Sequence, residues 1–191
     1  MWPRYEVVDE FLYPGHFIAI KECRFLTAPN EWDIYKHKIY PDGKIDIGFQ
    51  SSTPGKQPIK PLEKDRIREL NMAYHQKMMR MLRLLAPEKE QYYKYTELNV
   101  VNNGKDYVFP IHSDSRDKLL SVVVYIAPKI NEGTWLYDDK SGTNPRQIEW
   151  KQNRAFGFSR NDNTWHSYKA DGKSNRLALV YNLRSDKYWK K

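Results

Sequence analysis

The chain has 191 residues, with 32 Lys and Arg against 24 Asp and Glu, for a formal net charge of +8. That length suits a single domain, residues 1–191, able to bury a sizeable core, and 14 Tyr and 6 Trp exclude wholesale disorder. Cys23 is the lone cysteine, which excludes an intramolecular disulfide and a CxxC zinc site.

No apolar run approaches the roughly 20 residues that span a bilayer. "MWPRYEVVDEFLYPG" carries acids and a proline where a signal peptide would have its apolar core, so a soluble cytoplasmic protein with no membrane partner is expected. The basic residues are dispersed. They give a surface that attracts anions in general, and nucleic acid is not an expected partner.

"YEVVDEFL" reads as a first strand, broken at Pro14 and Gly15. "HFIAIKECRFL" follows as a helix, with Phe17, Ile20, Lys21 and Arg24 at helical spacing and a strand as the rival reading. "EWDIYKHKIYPDGKIDIGFQ" predicts two strands joined at "PDG", with Gly43 supplying the positive φ of the turn. "SSTPGKQPIKP" predicts a loop. The clearest helix runs from about Leu62 to Ala86, with Ile67, Leu70, Ala73, Met78, Met81, Leu82 and Leu85 on one stripe and Pro87 ending it. Its His75 and methionines read as packing or surface residues, not ligands.

After Pro87 the period changes. "YYKYTELNVV", "YVFPIHSD", "LLSVVVYIAP", "GTWLYDD", "RQIEW", "RAFGFS", "WHSYKA" and "RLALVYNL" predict eight short strands separated by polar turns. The fold class expected is mainly β with supporting helices, an antiparallel sandwich or barrel braced from outside by residues 1–87.

Within that series His112 and Asp114 are two apart in "HSD", and on a strand such residues share a face. Each can give one ligand to one metal, and His166 in "TWHSYKA" is the candidate third. Two imidazoles and one carboxylate form the facial triad of non-haem Fe(II) sites, which leaves three of six octahedral positions for a bidentate co-substrate and O2. Taken alone, HxD also describes a solvated strand end. Ten residues after His166 stands Arg176, sharing a strand face with Ala178 and Val180. It reads either as a surface ion pair or as a guanidinium aimed into a pocket to clamp a carboxylate.

Together, from Tyr92 to Arg184, these motifs resemble the 2-oxoglutarate- and Fe(II)-dependent oxygenases, and most closely their prolyl 4-hydroxylase-like branch. "HSD", "EGTWLYD", "RAFGFS", "WHSY" and "RLALVYNL" occur in that family's order, with its ten-residue step from the distal histidine to the arginine. The resemblance implies a double-stranded β-helix (jelly-roll) core over residues 88–185. It implies Fe(II) held by His112, Asp114 and His166, and 2-oxoglutarate as co-substrate with its C5 carboxylate on Arg176. It further implies O2 as oxidant, with ascorbate as an optional reductant, and hydroxylation of an unactivated C–H bond. The implied substrate is an amino-acid residue, for example prolyl, in a peptide or protein. The alternatives are a free amino acid or other small metabolite, a non-catalytic jelly-roll binding module, and a zinc hydrolase using the same three ligands.

The sequence departs from the family at the hydroxyl that often helps the arginine. Ala178 cannot donate, and the position aligned with the family's tyrosine is Val124. Tyr95 is the favoured substitute, ahead of Thr96 and Tyr107. Trp135 and Trp165 read either as pocket walls or as core.

Overall fold

The computed structural model describes residues 5–23, 34–50, 61–161 and 163–186. Eleven strands and two α-helices are found there. The strands are β1 (Tyr5–Val8), β2 (Ile34–Ile39), β3 (Ile45–Gln50), β4 (Tyr95–Asn103), β5 (Val108–His112), β6 (Lys118–Ala127), β7 (Thr134–Tyr137), β8 (Arg146–Ile148), β9 (Ala155–Phe158), β10 (Trp165–Lys169) and β11 (Arg176–Arg184). The helices are α1 (Pro14–Glu22) and α2 (Lys64–Leu85). A 3-10 segment, Pro87–Tyr92, intervenes where the strand pattern was expected to begin.

The eight strands β4 to β11 are divided equally between two antiparallel sheets. The larger has the order β1-β9-β6-β11-β4-β2-β3 and the smaller β5-β10-β7-β8. This is an antiparallel sandwich, as the strand count predicts, and the jelly roll that the family resemblance implies, with β1, β2 and β3 extending the larger sheet. The β2–β3 hairpin turns at Gly43, whose φ of 84° is one that glycine adopts without a Cβ clash. Pro14 does more than break β1: it occupies the first turn of α1, where a missing N–H costs nothing. Arg24 and most of the "SSTPGKQPIKP" loop lie outside the described residues.

Alternation along the strands creates two different faces. Leu177, Leu179, Tyr181 and Leu183 of β11 turn outward with Leu120, Val122, Val124 and Ile126 of β6, and α2 covers them. The buried stripe of α2 is Ile67, Leu70, Tyr74, Met78, Met79, Met81 and Leu82. Ala73 and Leu85, expected on it, are only partly buried, whereas Tyr74 is fully buried. Tyr74 is satisfied through its hydroxyl, which accepts from the Tyr13 N–H at 2.8 Å and meets His16 Nδ1 at 2.7 Å. Gly157 of β9 permits close approach of the helix, since a Cβ there would lie 2.1 Å from Met81 Sδ. The opposite faces of β4, β6, β9 and β11 look into the space between the two sheets, and there the candidate site is found.

Candidate metal and carboxylate site

The two histidines come together through sheet pairing. His112 at the end of β5 is the direct partner of His166 in β10, and their ring centroids are 4.2 Å apart. β5 stops at His112, so Asp114 is not on the strand as the i, i+2 argument supposed. It lies in the loop to β6, anchored by that strand. Lys118 Nζ donates to Asp114 Oδ1 at 2.8 Å, and the Ser121 hydroxyl donates to Oδ2. His112, Asp114 and His166 each present a ligand atom within 4.8 Å of the others, and among the described residues this group could hold a metal ion.

The donor set fits a divalent cation. His112 Nδ1 lies 2.8 Å from the Pro110 carbonyl and His166 Nδ1 lies 3.1 Å from that of Thr164. A carbonyl only accepts, so each Nδ1 carries the proton and each Nε2 keeps its lone pair for a metal. His112 Nε2 is buried with no hydrogen-bond partner among the described residues. Burial holds His166 down at about 4 against an ordinary 6.5, and lowers His112 in the same direction, so both are neutral ligands at neutral pH. Burial pushes the Asp114 carboxyl up, but the Lys118 ammonium and the hydrogen bonds from Lys118 and Ser121 outweigh it and keep the group ionised.

Asp114, His166 and Arg176 line one cavity of about 270 Å³. Arg176 opens β11, is 6% exposed, and has no carboxylate or hydrogen-bond acceptor among the described residues. Its guanidinium carbon instead sits 4.0 Å from the centroid of the Tyr168 ring and 5.3 Å from that of Tyr125. Cation–π contacts of this kind hold the group in place and leave its N–H donors open to an anion.

The structure does not bring Tyr95 to this arginine. Tyr95 pairs with Arg184, while Arg176 pairs with Asn103 at the other end of the same two strands. At about 3.3 Å per residue that separation is roughly 26 Å. The residue found there, Tyr125, is the neighbour of the aligned Val124. Alternation along β6 puts Tyr125, opposite Ala178, on the inner face with Arg176, and Val124, opposite Leu179, on the outer one. The Tyr125 hydroxyl donates to Thr134 Oγ1 at 2.9 Å and accepts the Thr134 N–H at 3.0 Å. Thr134 lines the cavity, and its own hydroxyl proton remains available to a ligand. Of the other proposed donors, Tyr107 lines the cavity, and Thr96 meets the Tyr93 hydroxyl at 2.9 Å. None of Trp135, Trp165 and Trp150 lines the cavity; Trp150 stacks on Tyr125 with ring centroids 4.5 Å apart.

No protein-family model matches the chain, and no curated protein matches it in sequence. Solved structures do. A Pseudomonas putida prolyl-4-hydroxylase superposes with a TM-score of 0.59 at 16% identity, covering 97% of this chain and 94% of that one. A prolyl 4-hydroxylase from Phytophthora capsici gives 0.60 at 15%, covering 95% of this chain and 59% of its own. An oxidoreductase of the 2OG-Fe(II) oxygenase family from Burkholderia pseudomallei gives 0.55 at 16%, covering 94% and 84%. These likenesses establish that the chain has the jelly-roll fold of the 2OG-Fe(II) oxygenases.

Proposed function

We propose that the protein is a 2-oxoglutarate- and Fe(II)-dependent oxygenase that hydroxylates an unactivated C–H bond of an amino-acid side chain. The observation that carries this reading is one cavity that joins both halves of the chemistry: it is lined by Asp114 and His166 of the three-ligand His-Asp-His cluster and by the buried, unpaired Arg176 guanidinium.

His112, Asp114 and His166 would hold the iron. Bound Fe(II) supplies the redox chemistry that couples oxidative decarboxylation of 2-oxoglutarate to succinate with insertion of one atom of O2 into a C–H bond. The residues of the chain do the rest. The Pro110 and Thr164 carbonyls fix the imidazole tautomers, and Lys118 and Ser121 fix the carboxylate. Arg176 binds the C5 carboxylate of the co-substrate in bidentate fashion. Thr134, held by Tyr125, is the hydroxyl in the position for which Tyr95 was expected. Phe156 and Phe158 line the cavity and exclude water on the β9 side. A zinc hydrolase with the same ligands leaves Arg176 without a task.

The test is succinate formation by purified protein with Fe(II), ascorbate and 2-oxoglutarate, with and without candidate substrates. Succinate above a His112→Ala control is expected. A wild-type rate equal to that control under every condition would overturn the proposal.

A further inference from the structure

A second polar cluster lies farther along the same inner face. Asn182 of β11 pairs with Glu97 of β4 on one side and with Ser121 of β6, the residue that holds Asp114, on the other. The cluster is therefore on the metal side of the cavity, six residues along β11 from Arg176. Glu97 is 2% exposed and takes the amide N–H groups of Asn99 and Asn182, each at 3.2 Å, together with the Arg184 guanidinium at 3.1 Å. Burial pushes the Glu97 carboxyl up, but the Arg184 and Lys36 cations more than cancel this, so it is ionised.

A carboxylate only accepts, so both amide nitrogens must face Glu97 and both carbonyl oxygens must turn away from it. Asn99 and Asn182 are 4% and 2% exposed, both line the cavity, and neither Oδ1 has a partner among the described residues. The large majority of buried acceptors in folded proteins are met. Two unmet acceptors beside an anion form a receptor for a positively charged N–H donor. Lys36 of β2 lines the same cavity with no ion-pair partner among the described residues, which provides for an anion next to that donor. At about 270 Å³ the cavity lies below the roughly 300–1,000 Å³ of pockets for drug-sized ligands, a metabolite's share of space.

We propose that this chamber takes a free α-amino acid, its ammonium bonded to Asn99 Oδ1 and Asn182 Oδ1 beside Glu97 and its carboxylate answered by Lys36. An internal residue of a peptide has neither charge and would leave both ends of the chamber unmet. The inference rests on the oxygenase reading, because the side chain would then be presented to the metal.

The test is calorimetry on the wild-type protein loaded with Mn(II) and 2-oxoglutarate, titrated with the twenty common amino acids. The tightest is then compared with its N-acetyl derivative and with a short peptide containing it internally. Binding of a free amino acid is expected, weakened about tenfold to a hundredfold by N-acetylation, as for loss of a charged hydrogen bond. Asn182→Leu should weaken the free acid similarly and leave the N-acetyl derivative where it was. Equal affinity for the free and acetylated forms, tighter binding of the peptide, or no binding by any amino acid would overturn the proposal. Because 2-oxoglutarate and Mn(II) affinities are measured first, their absence would identify failure of the oxygenase reading instead.

Discussion

Replacing Arg176 with methionine separates a binding role from a structural one. In the wild type the guanidinium is buried against Tyr168 and Tyr125 with no anion among the described residues. Removing it forfeits cation–π attraction of up to about 2 kcal/mol. It also removes an uncompensated buried cation, whose desolvation costs several kcal/mol before hydration from the cavity is counted. The two effects oppose, and methionine fills most of the vacated volume. The free variant is therefore expected within about 1 kcal/mol of wild-type stability in urea unfolding. Binding should change far more. Truncating one partner of a buried, bidentate charge pair costs about 3–4 kcal/mol, which raises the Kd for 2-oxoglutarate about 10²- to 10³-fold. Arg176→Lys keeps the charge without the fork and should fall between. Calorimetry on the Mn(II)-loaded proteins reads the affinity. A Kd within tenfold of wild type, or a stability loss above about 3 kcal/mol, would refute the reasoning, the latter by revealing a structural partner for the guanidinium.

Gly157→Ala places a Cβ 2.1 Å from Met81 Sδ and 3.0 Å from Val122 Cγ2, so overpacking should cost about 1–3 kcal/mol in thermal or urea melts. Met81→Ala in the same chain should recover part of that loss, and strict additivity would disprove the contact. Tyr125→Phe leaves the buried Thr134 N–H without its acceptor, for a cost of about 1–3 kcal/mol; an unchanged urea midpoint would show the hydroxyl to be idle. Acid should destabilise the metal-free protein through His166, which burial holds at about 4. Between pH 6.5 and 4 the unfolded chain takes up a proton that the folded one refuses, so stability present above pH 6.5 is lost on descent, by roughly 3 kcal/mol in all. Asp114, held low, contributes its own loss only below about pH 3.8, outside that window. His166→Gln should flatten the slope of the urea midpoint between pH 7 and 4.5, and an equal slope in the variant would assign it elsewhere.

What the sequence revealed was local. The α2 stripe is legible because a 3.6-residue period survives whatever the helix packs against. β11 is legible because Leu177, Leu179, Tyr181 and Leu183 alternate with Arg176, Ala178 and Val180, and the structure places the two sets on opposite faces. His112 and His166 were found by residue type and order, and β5–β10 pairing brings them opposite each other. The failures were non-local. Tyr95 was favoured to assist Arg176, and only the pairing of β4, β6 and β11 shows that Tyr95 lies at the far end of the strands while Tyr125 lies opposite Ala178. Glu97 and Asn99 in "YTELNVV" alternate as a solvent-facing strand would. Their burial follows only once a second sheet is known to cover that face.

The inner face of β11 explains how one strand serves two ligands. Its charged residues are at the ends, Arg176 and Arg184, and its small ones, Ala178 and Val180, lie between. Large side chains in the middle would fill the space between the sheets and complete an ordinary sandwich core. Small ones leave a cavity, and a cavity open to water can hydrate Arg176 in the free protein, which lowers the cost of leaving that charge unpaired. Arg184 is treated differently: Glu97 at 3.1 Å and Asp117 at 2.8 Å neutralise it. The two arginines are thus not equivalent anion sites. Arg176 is open to an incoming carboxylate, whereas Arg184 is already paired and serves to keep Glu97 ionised and in place. The polarity of the cavity follows from that difference, with an anion expected at the Arg176 end and a cation at the Glu97 end. A molecule lying between them is oriented before any reaction begins, with Asp114, His112 and His166 beside the Asn182 end of the strand.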